Sequence, residues 1–435
     1  MMTRYFTRTA STLVSVASVL IGVNSVFAAL YSVKDLGILA DLPGRNDSTP
    51  NALSSNGKVA AANVTNGAYR AFLYDGAWTN LGTLGGSQSF AFGVNDSRLV
   101  VGRSLTANGV NRAFLWTPGG TNGVAGNPQM KDLGTFTGGT HSEADGINAA
   151  GQITGYAQTS SRDHAFRYSG GTMTDIGALL SMALPNSYGL SINDAGHIVG
   201  MAYDPFFTFS RAFFYNGSTA VDIGNLGGQG ASALSINRSD HIAGYSTIST
   251  GFNVHAFHYF NGVMLDLGTL GGHYSYAIGI NNSNVIVGGS FVDVNDSIYH
   301  AFVSVSNSLV DLNSELDASG AGWVLTEARA INDLGQIVGV GQFNGANHAF
   351  LVTPALSPFP APRITSLMIS GVDVLISFTT TNSASYSVEA SEYLTTGSWS
   401  NRISGIVGTG GIVTATNSGA AGLPYRFYRV RLSMP

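Results

Sequence analysis

Seven times the chain spells a basic residue followed by Ala-Phe: Arg70-Ala71-Phe72, Arg112-Ala113-Phe114, His164-Ala165-Phe166, Arg211-Ala212-Phe213, His255-Ala256-Phe257, His300-Ala301-Phe302 and His348-Ala349-Phe350. The alanines step by 42, 52, 47, 44, 45 and 48 residues. A period of about 40 to 50 residues belongs to a four-stranded unit that buries its apolar face only by stacking on copies of itself. It therefore overrides what 435 residues would otherwise suggest, which is several unrelated domains.

The copy from Ala233 to Gly272 shows the grammar of one unit. An apolar run ends at Ile236-Asn237, and a second runs through Ile242-Ala243-Gly244. His255-Ala256-Phe257 follows a polar loop, and Asn261-Gly262 turns the chain into Met264-Leu265-Asp266-Leu267-Gly268. No stretch carries the i, i+3, i+4, i+7 stripe of a helix, so the unit reads as strands a, b, c and d. Strand a ends on Asn95, Asn148, Asn193, Asn237, Asn281 and Asn332, with Ser54 in the first copy; these types bond their own turn backbone. Three residues later stand Gly57, Arg98, Gly151, Gly196, Asp240, Asn284 and Gly335, mostly types that tolerate a left-handed backbone; Arg98 does not fit that preference. Strand b closes on Ala61, Gly102, Gly155, Gly200, Gly244, Gly288 and Gly339, a slot whose small size predicts a neighbouring segment passing close by.

Strand d decides the architecture. Asn80-Leu81-Gly82, Asp132-Leu133-Gly134, Asp175-Ile176-Gly177, Asp222-Ile223-Gly224, Asp266-Leu267-Gly268 and Asp311-Leu312 follow copies one to six, whereas the seventh runs from Phe350 into Thr353-Pro354. A spare Asp35-Leu36-Gly37 precedes the first copy. The expected fold is all-β, a seven-bladed β-propeller over residues 30–353 in which Tyr31 to Gly37 supplies the missing strand, with the seven phenylalanines wedged between blades. A Pro-rich linker at 354–362 leads to a small β-sandwich at 363–435, its strands expected at 364–369, 372–379, 386–390, 412–416 and 427–432.

Charged residues make up only 10% of the chain against 44% hydrophobic, with 56 glycines, which describes a turn-rich ordered protein rather than a disordered one. Residues 1–29 read as a secretory signal: Arg4 and Arg8, an apolar core from Leu13 to Val23, then small residues at a cleavage site near Ala28-Ala29. The core is shorter than the roughly 20 residues of a spanning helix, so a mature chain without a membrane span, secreted or at the cell surface, is expected. Removing that segment takes away two arginines and no acid and moves the net charge from −5 to −7. No basic stripe remains for nucleic acid. Cysteine is absent, which excludes disulfides, thiol catalysis and Cys-zinc sites. No cofactor motif occurs.

The His-Ala-Phe phrases, Asp-Leu-Gly-Thr-Leu-Gly-Gly at Asp266 to Gly272 and Gly-Ile-Asn with Ile-Val-Gly at Gly279 to Gly288 resemble the HAF-repeat family of extracellular bacterial proteins over residues 31–353. The resemblance implies export and a repeat fold and brings no settled activity or catalytic residue. Trp399 and the ending Tyr425 to Arg431 resemble C-terminal modules of secreted bacterial proteins.

Long, unlike loops fall between strands d and a and between strands b and c, on one face of the expected ring, where binding concentrates on rigid scaffolds. Their aromatics, Phe206, Phe207, Phe209, Tyr274, Tyr299 and Trp323, with His141, His273 and Arg329, are the ligand-binding candidates for an extracellular glycan or protein. Repeated residues are discounted: the histidines of His-Ala-Phe alternate with arginine, and the aspartate of strand d recurs, so both point to structure. On strand a, Glu143 and Asp145 in the third copy and Glu327 and Arg329 in the seventh replace Phe90 and Phe92 or Tyr276 and Ile278. Two carboxylates so placed can act as general acid and base on a glycoside, or form an ion-pair network. Asp293, Asn295 and Asp296 lack the Gly and distal Glu of a calcium loop, and no metal site is expected. Three functions stay open: a non-catalytic binding protein, an extracellular polysaccharide-degrading enzyme using Glu143, Asp145 and Glu327, and a structural surface protein.

Overall fold

The computed structural model describes residues 31–38, 49–180, 184–206, 209–249, 253–354, 362–380, 385–391, 400–422 and 427–433. The expected signal segment and cleavage site, Phe207, Trp399, Tyr425 and most of the expected linker lie outside the described residues. The chain falls into two compact units, one spanning Ala29–Leu356, the other containing Ser357–Pro435.

The first unit holds seven four-stranded antiparallel sheets, each a meander in the order a, b, c, d. In chain order their strands a are Thr49–Leu53, Gly85–Val94, Ser142–Ile147, Asn186–Ile192, Gly227–Ile236, Ser275–Ile280 and Trp323–Ile331. The seventh sheet takes its fourth strand from Tyr31–Ile38, which pairs with Ala346–Pro354 in the register Tyr31 to Pro354 and Ile38 to His348. Each sheet has a turn end, with the a-to-b and c-to-d connections, and a loop end, with the b-to-c and d-to-a connections.

The repeated residues explain how the sheets hold together. Asn237 Oδ1 accepts the main-chain N–H groups of Ser239 and His241 within its own turn, while its Nδ2 donates to the Asn281 carbonyl of the next sheet at 2.9 Å. The same reach links Asn95 to Asn148, Asn148 to Asn193, Asn193 to Asn237 and Asn281 to Asn332, and Asn332 returns to Ser54 of the first sheet. Buried serines make a second set of ties: Ser89, Ser142, Ser187 and Ser275 accept the N–H of the Ala in the preceding sheet's Ala-Phe. Each such bond is worth about 1 kcal/mol, and more where its loss strands a buried partner.

His164, His255, His300 and His348 contact Asp175, Asp266, Asp311 and Asp35 across strands c and d at 2.7–3.0 Å. Five of the strand-d aspartates also accept a main-chain N–H two residues on, at Gly37, Gly134, Gly224, Gly268 and Asn313. The strand-b slot is small because a Cβ at Gly102, Gly200 or Gly288 would lie 1.8–1.9 Å from the carbonyl oxygen of Phe90, Tyr188 or Tyr276 on strand a of the same sheet. Six of the Ala-Phe phenylalanines are fully buried, but Phe72 is only half-buried, against the expectation of seven wedges. In its sheet the small slot is Ala61, where four of the other sheets have the ring lying against a glycine, as Phe257 does on Gly244.

The second unit pairs Ile364–Ser370, Asp373–Thr379 and Ile412–Asn417 in one three-stranded sheet, and Ser400–Val407, Ser385–Ser391 and Phe427–Ser433 in another. Val374, Ile376, Phe378, Tyr386, Val388 and Val430 fill its core. Ser400–Val407 is a strand beyond the five expected; it lacks clean alternation, and most of its residues are exposed.

Candidate functional site

Every strand a carries a β-bulge one residue after the position facing the small slot of strand b. A bulge leaves one residue out of the ladder and re-aims its side chain. The residues so released are Asn51, Phe92, Asp145, Leu190, Leu234, Ile278 and Arg329, the least repetitive slot of an otherwise repetitive strand.

Asp145 sits where two neighbouring sheets meet. Arg103 Nη1, from strand b of the second sheet, donates to Glu143 Oε2 at 2.6 Å, and Tyr156 Oη lies 3.5 Å from the same oxygen. The Arg103 guanidinium also covers the Phe90 ring at 4.6 Å. Burial opposes the Arg103 charge, but the Glu143 carboxylate outweighs it and holds the guanidinium above its ordinary value. Burial, then the adjacent Glu143 charge and hydrogen bond, push Asp145 well above the usual carboxylate range, offset only in part by Arg103. Asp145 keeps some exposure through its other atoms, yet its Oδ2 is enclosed and receives no hydrogen bond from any donor. Burial and the neighbouring Glu143 carboxylate both favour the neutral form of Asp145. Tyr156 is pushed up by burial and then by Glu143, so its hydroxyl stays neutral.

The matching pair in the seventh sheet is self-contained. Arg329 Nε lies 2.5 Å from Glu327 Oε2, an ion-pair separation without hydrogen-bond alignment. Tyr299 is pushed up by burial and by Glu327. The fold thus gathers Glu143 with Asp145, and Glu327 with Arg329, into separate clusters. Tyr188 and Tyr203, not expected as site residues, extend the first cluster: Tyr156 and Tyr188 rings stand 4.1 Å apart and Tyr188 and Tyr203 rings 4.8 Å. Their signal was the aromatic occupancy of strand-a and strand-b slots, which single-copy reading does not pair.

The loop aromatics divide. Phe206 and Phe209 are 83% and 44% exposed. Tyr274 and Tyr299 are half-buried and pack on Phe291 at 6.1 and 4.9 Å. Trp323 corrects the expectation of a stacking platform: it is 9% exposed and stacked on Phe343 at 5.0 Å, because strand a of the seventh sheet begins there and draws the ring into the core. His141 Nε2 contacts Asp163 Oδ1 and His273 Nδ1 contacts Asp296 Oδ2, both at 2.9 Å. Asp293 accepts from Ser297 and Ile298, so the acidic loop spends its oxygens on its own turn. Among the described residues no group of three or more His, Cys, Asp or Glu is placed to hold a metal ion, and no helix is long and apolar enough to cross a membrane.

Of the twelve large apolar side chains exposed among the described residues of this unit, Ile38, Leu179, Phe206, Phe209, Val294, Ile298 and Val324 stand at the loop end. Phe260, Val263 and Leu334 stand at the turn end, and Val221 and Leu265 on outer strands. The turn end instead holds a cavity of about 230 Å³, bordered by the a-to-b turns of all seven sheets.

No family model and no curated protein matches the chain. Among solved structures, an acylaminoacyl peptidase from Pyrococcus horikoshii is similar at 8% identity and TM-score 0.43 over 81% of this chain, which spans 58% of the length of that one. An arginine-to-alanine triple mutant of AofleA from Arthrobotrys oligospora is similar at 10% identity and TM-score 0.35 over 64% of this chain and 88% of that one. Trypanosoma rangeli sialidase is similar at 7% identity and TM-score 0.34 over 93% of this chain and 83% of that one. Likeness at these scores says nothing about activity.

Proposed function

We propose that the chain is an exported, non-catalytic binding protein of the HAF-repeat kind: a seven-bladed β-propeller closed by its N-terminal strand, presenting its loop end to a protein partner. The observation that carries this reading is the placement, among the described residues, of seven exposed apolar side chains on the loops and strand ends of one end of the sheets. Five of the seven are aliphatic, and Trp323 is withdrawn into the core, which favours a polypeptide over a sugar ring that would need flat aromatic platforms. The closed ring is supported by the seven sheets, by the asparagine ties that return from Asn332 to Ser54, and by the pairing of Tyr31–Ile38 with the last strand of the repeat.

Binding is favoured over hydrolysis by the carboxyl geometry. Glycoside hydrolysis needs two carboxyl groups roughly 5 to 9.5 Å apart across the scissile bond. Glu143 and Asp145 are hydrogen-bond neighbours rather than groups set across a substrate, Glu143 is held by Arg103, and Glu327 is occupied by Arg329.

The test compares the mature chain with Phe206→Ser/Phe209→Ser/Val294→Ser and with Glu143→Gln. We expect a defined extracellular protein to bind the native chain and lose at least tenfold in affinity for the triple variant, with no polysaccharide in a panel either retained or cleaved. A polysaccharide retained by the native chain but not by Tyr156→Ala would replace the protein partner with a glycan. Cleavage abolished by Glu143→Gln would make the protein an enzyme.

A further inference from the structure

Two slots recur near the turn end of every sheet: the residue just before strand b, and the residue after the Phe of Ala-Phe on strand c. The second and sixth sheets fill them with Leu99 and Leu115, and with Val285 and Val303. The fifth alone fills both with histidine, His241 and His258. His241 Nδ1 lies 2.8 Å from His258 Nε2, and His258 Nδ1 lies 2.9 Å from Asn307 Oδ1 in the c-to-d turn of the sixth sheet. Both rings are buried, at 8% exposure, and Phe260 stacks on His241 with centroids 3.7 Å apart. The main-chain N–H of His241 donates to Asn237 Oδ1, on the same asparagine whose amide reaches Asn281. The histidine pair therefore lies on the seam that ties the fifth sheet to the sixth.

The hydrogen bonds limit how many protons the pair can hold. An amide oxygen only accepts, so His258 Nδ1 carries a hydrogen and donates it to Asn307. In the neutral pair, His258 Nε2 then accepts the Nδ1–H of His241. A first proton fits on either ring, because one N–H still lies between the facing nitrogens. A second does not: both facing nitrogens would carry hydrogen, and two cations would stand in contact. No acid is free to compensate them. The sixth sheet brings the uncharged Asn281, Asn284 and Asn307 to this seam. The home turn carries Arg238 and Asp240, and Asp240 Oδ1 already meets His197 Nδ1 and Asn193 Nδ2 of the fourth sheet at 2.8 Å each. Strand d of the fifth sheet has one charged group, Asp266, which is held by His255. Burial, then the neighbouring His258, push the His241 ring below its ordinary value, and Asp240 offsets them only in part.

We infer that the His241–His258 pair is an acid-operated catch on the seam between the fifth and sixth sheets: it holds at most one proton, and acid parts the rings and loosens the turn end there. In the parted state both rings are free to take a proton near the ordinary histidine value of about 6.5. That state binds up to one more proton than the closed one, so acid favours it. Below that value the opening equilibrium rises by up to about tenfold per pH unit. The inference is independent of the loop-end reading.

Amide exchange of the mature full chain, expressed as protection relative to an unstructured chain, tests it between neutral and mildly acid pH. Protection of the His241 N–H, and of the amides at 258–260 and 306–308, should fall roughly tenfold between about pH 6 and about pH 5. The matching turn of the second sheet, Asn95 to Leu99, should keep its protection. His241→Val/His258→Val, which copies the sixth sheet's own solution, should abolish the fall. NMR of the labelled histidine ring nitrogens in the native chain gives a reading that needs no variant: the two rings should titrate in separate steps, the second displaced below the range of free histidine. An equal fall in the double variant, unchanged protection in the native chain, or both rings titrating together near the ordinary value would overturn the inference.

Discussion

The two ends of the same seven sheets are built on opposite principles. At the turn end, Asn95, Asn148, Asn193, Asn237, Asn281 and Asn332 repeat one device: each side-chain amide reaches a carbonyl of the next sheet, 44 to 53 residues on for the first five and back to Ser54 for the last. At the loop end the b-to-c connections range from the two residues Asn66-Gly67 to the seven of 292–298, side chains such as Phe206 and Val294 face solvent, and charged residues appear where other copies have aromatics. The difference shows how a repeat divides labour: what recurs holds sheet to sheet, and what departs from the template is released to meet something else.

The sharpest way to break that contrast is to attack a recurring residue and a departing one and compare the damage. Phe302, fully buried with its ring against Gly288, should lose about 3 to 5 kcal/mol on change to Ala. Phe206→Ala should stay within about 0.5 kcal/mol, as an exposed position does. Urea denaturation of both variants reads the difference, and comparable losses would end the distinction. Asn237→Ala comes next. It removes the acceptor of two turn N–H groups and the donor to Asn281, leaving buried partners stranded, so about 2 to 3 kcal/mol is expected. The loss should be accompanied by faster amide exchange in the flanking turns of two sheets rather than one.

The strands, the small slot and the turn role of asparagine were legible in the sequence because each is a local matter of alternation, close approach or an Asx turn. What Asn237 does with its amide nitrogen was not, since nothing near residue 237 names residue 281. Trp323 was misplaced for a related reason: it follows a loop in the chain, but the strand starts on it and Phe343 waits across the ladder. Glu143 and Asp145 were legible as departures from the template, but the partner that organises them, Arg103, comes from the preceding copy. Phe72, half-buried where its six counterparts are fully buried, was not distinguished from them by its own triplet.

The carboxyl pair at the sheet junction offers a pH test of the same idea. Asp145 has a folded-state pKa raised above its unfolded value, chiefly by burial and then by Glu143. Between those two values the folded state binds more protons than the unfolded chain, so stability falls as pH rises through that window. The slope is at most about 1.4 kcal/mol per pH unit for one group. Native protein should therefore lose Tm from about pH 4 upward through this group, and Asp145→Asn should flatten that part of the curve while remaining at least as stable at neutral pH. A variant with an unchanged slope would mean that Asp145 is ionised in the fold.

The smallest effect belongs to the one turn residue that breaks the template at the orderly end. Arg98 occupies the left-handed position, at φ +65°, that glycine fills in four other turns. A non-glycine residue there costs roughly 1 kcal/mol. Its guanidinium forms an ion pair with Asp75 of the first sheet, and an exposed pair returns about 0 to 1 kcal/mol. The two terms nearly offset, which accounts for an arginine where the local preference is against it. Arg98→Gly should change stability by less than about 1 kcal/mol, whereas Arg98→Ala keeps the strain, loses the ion pair and should be the less stable of the two. Equal stabilities for the two variants, compared by chemical denaturation in low salt, would show that the backbone at residue 98 carries no strain and that the glycines of the sister turns are not there for their conformation.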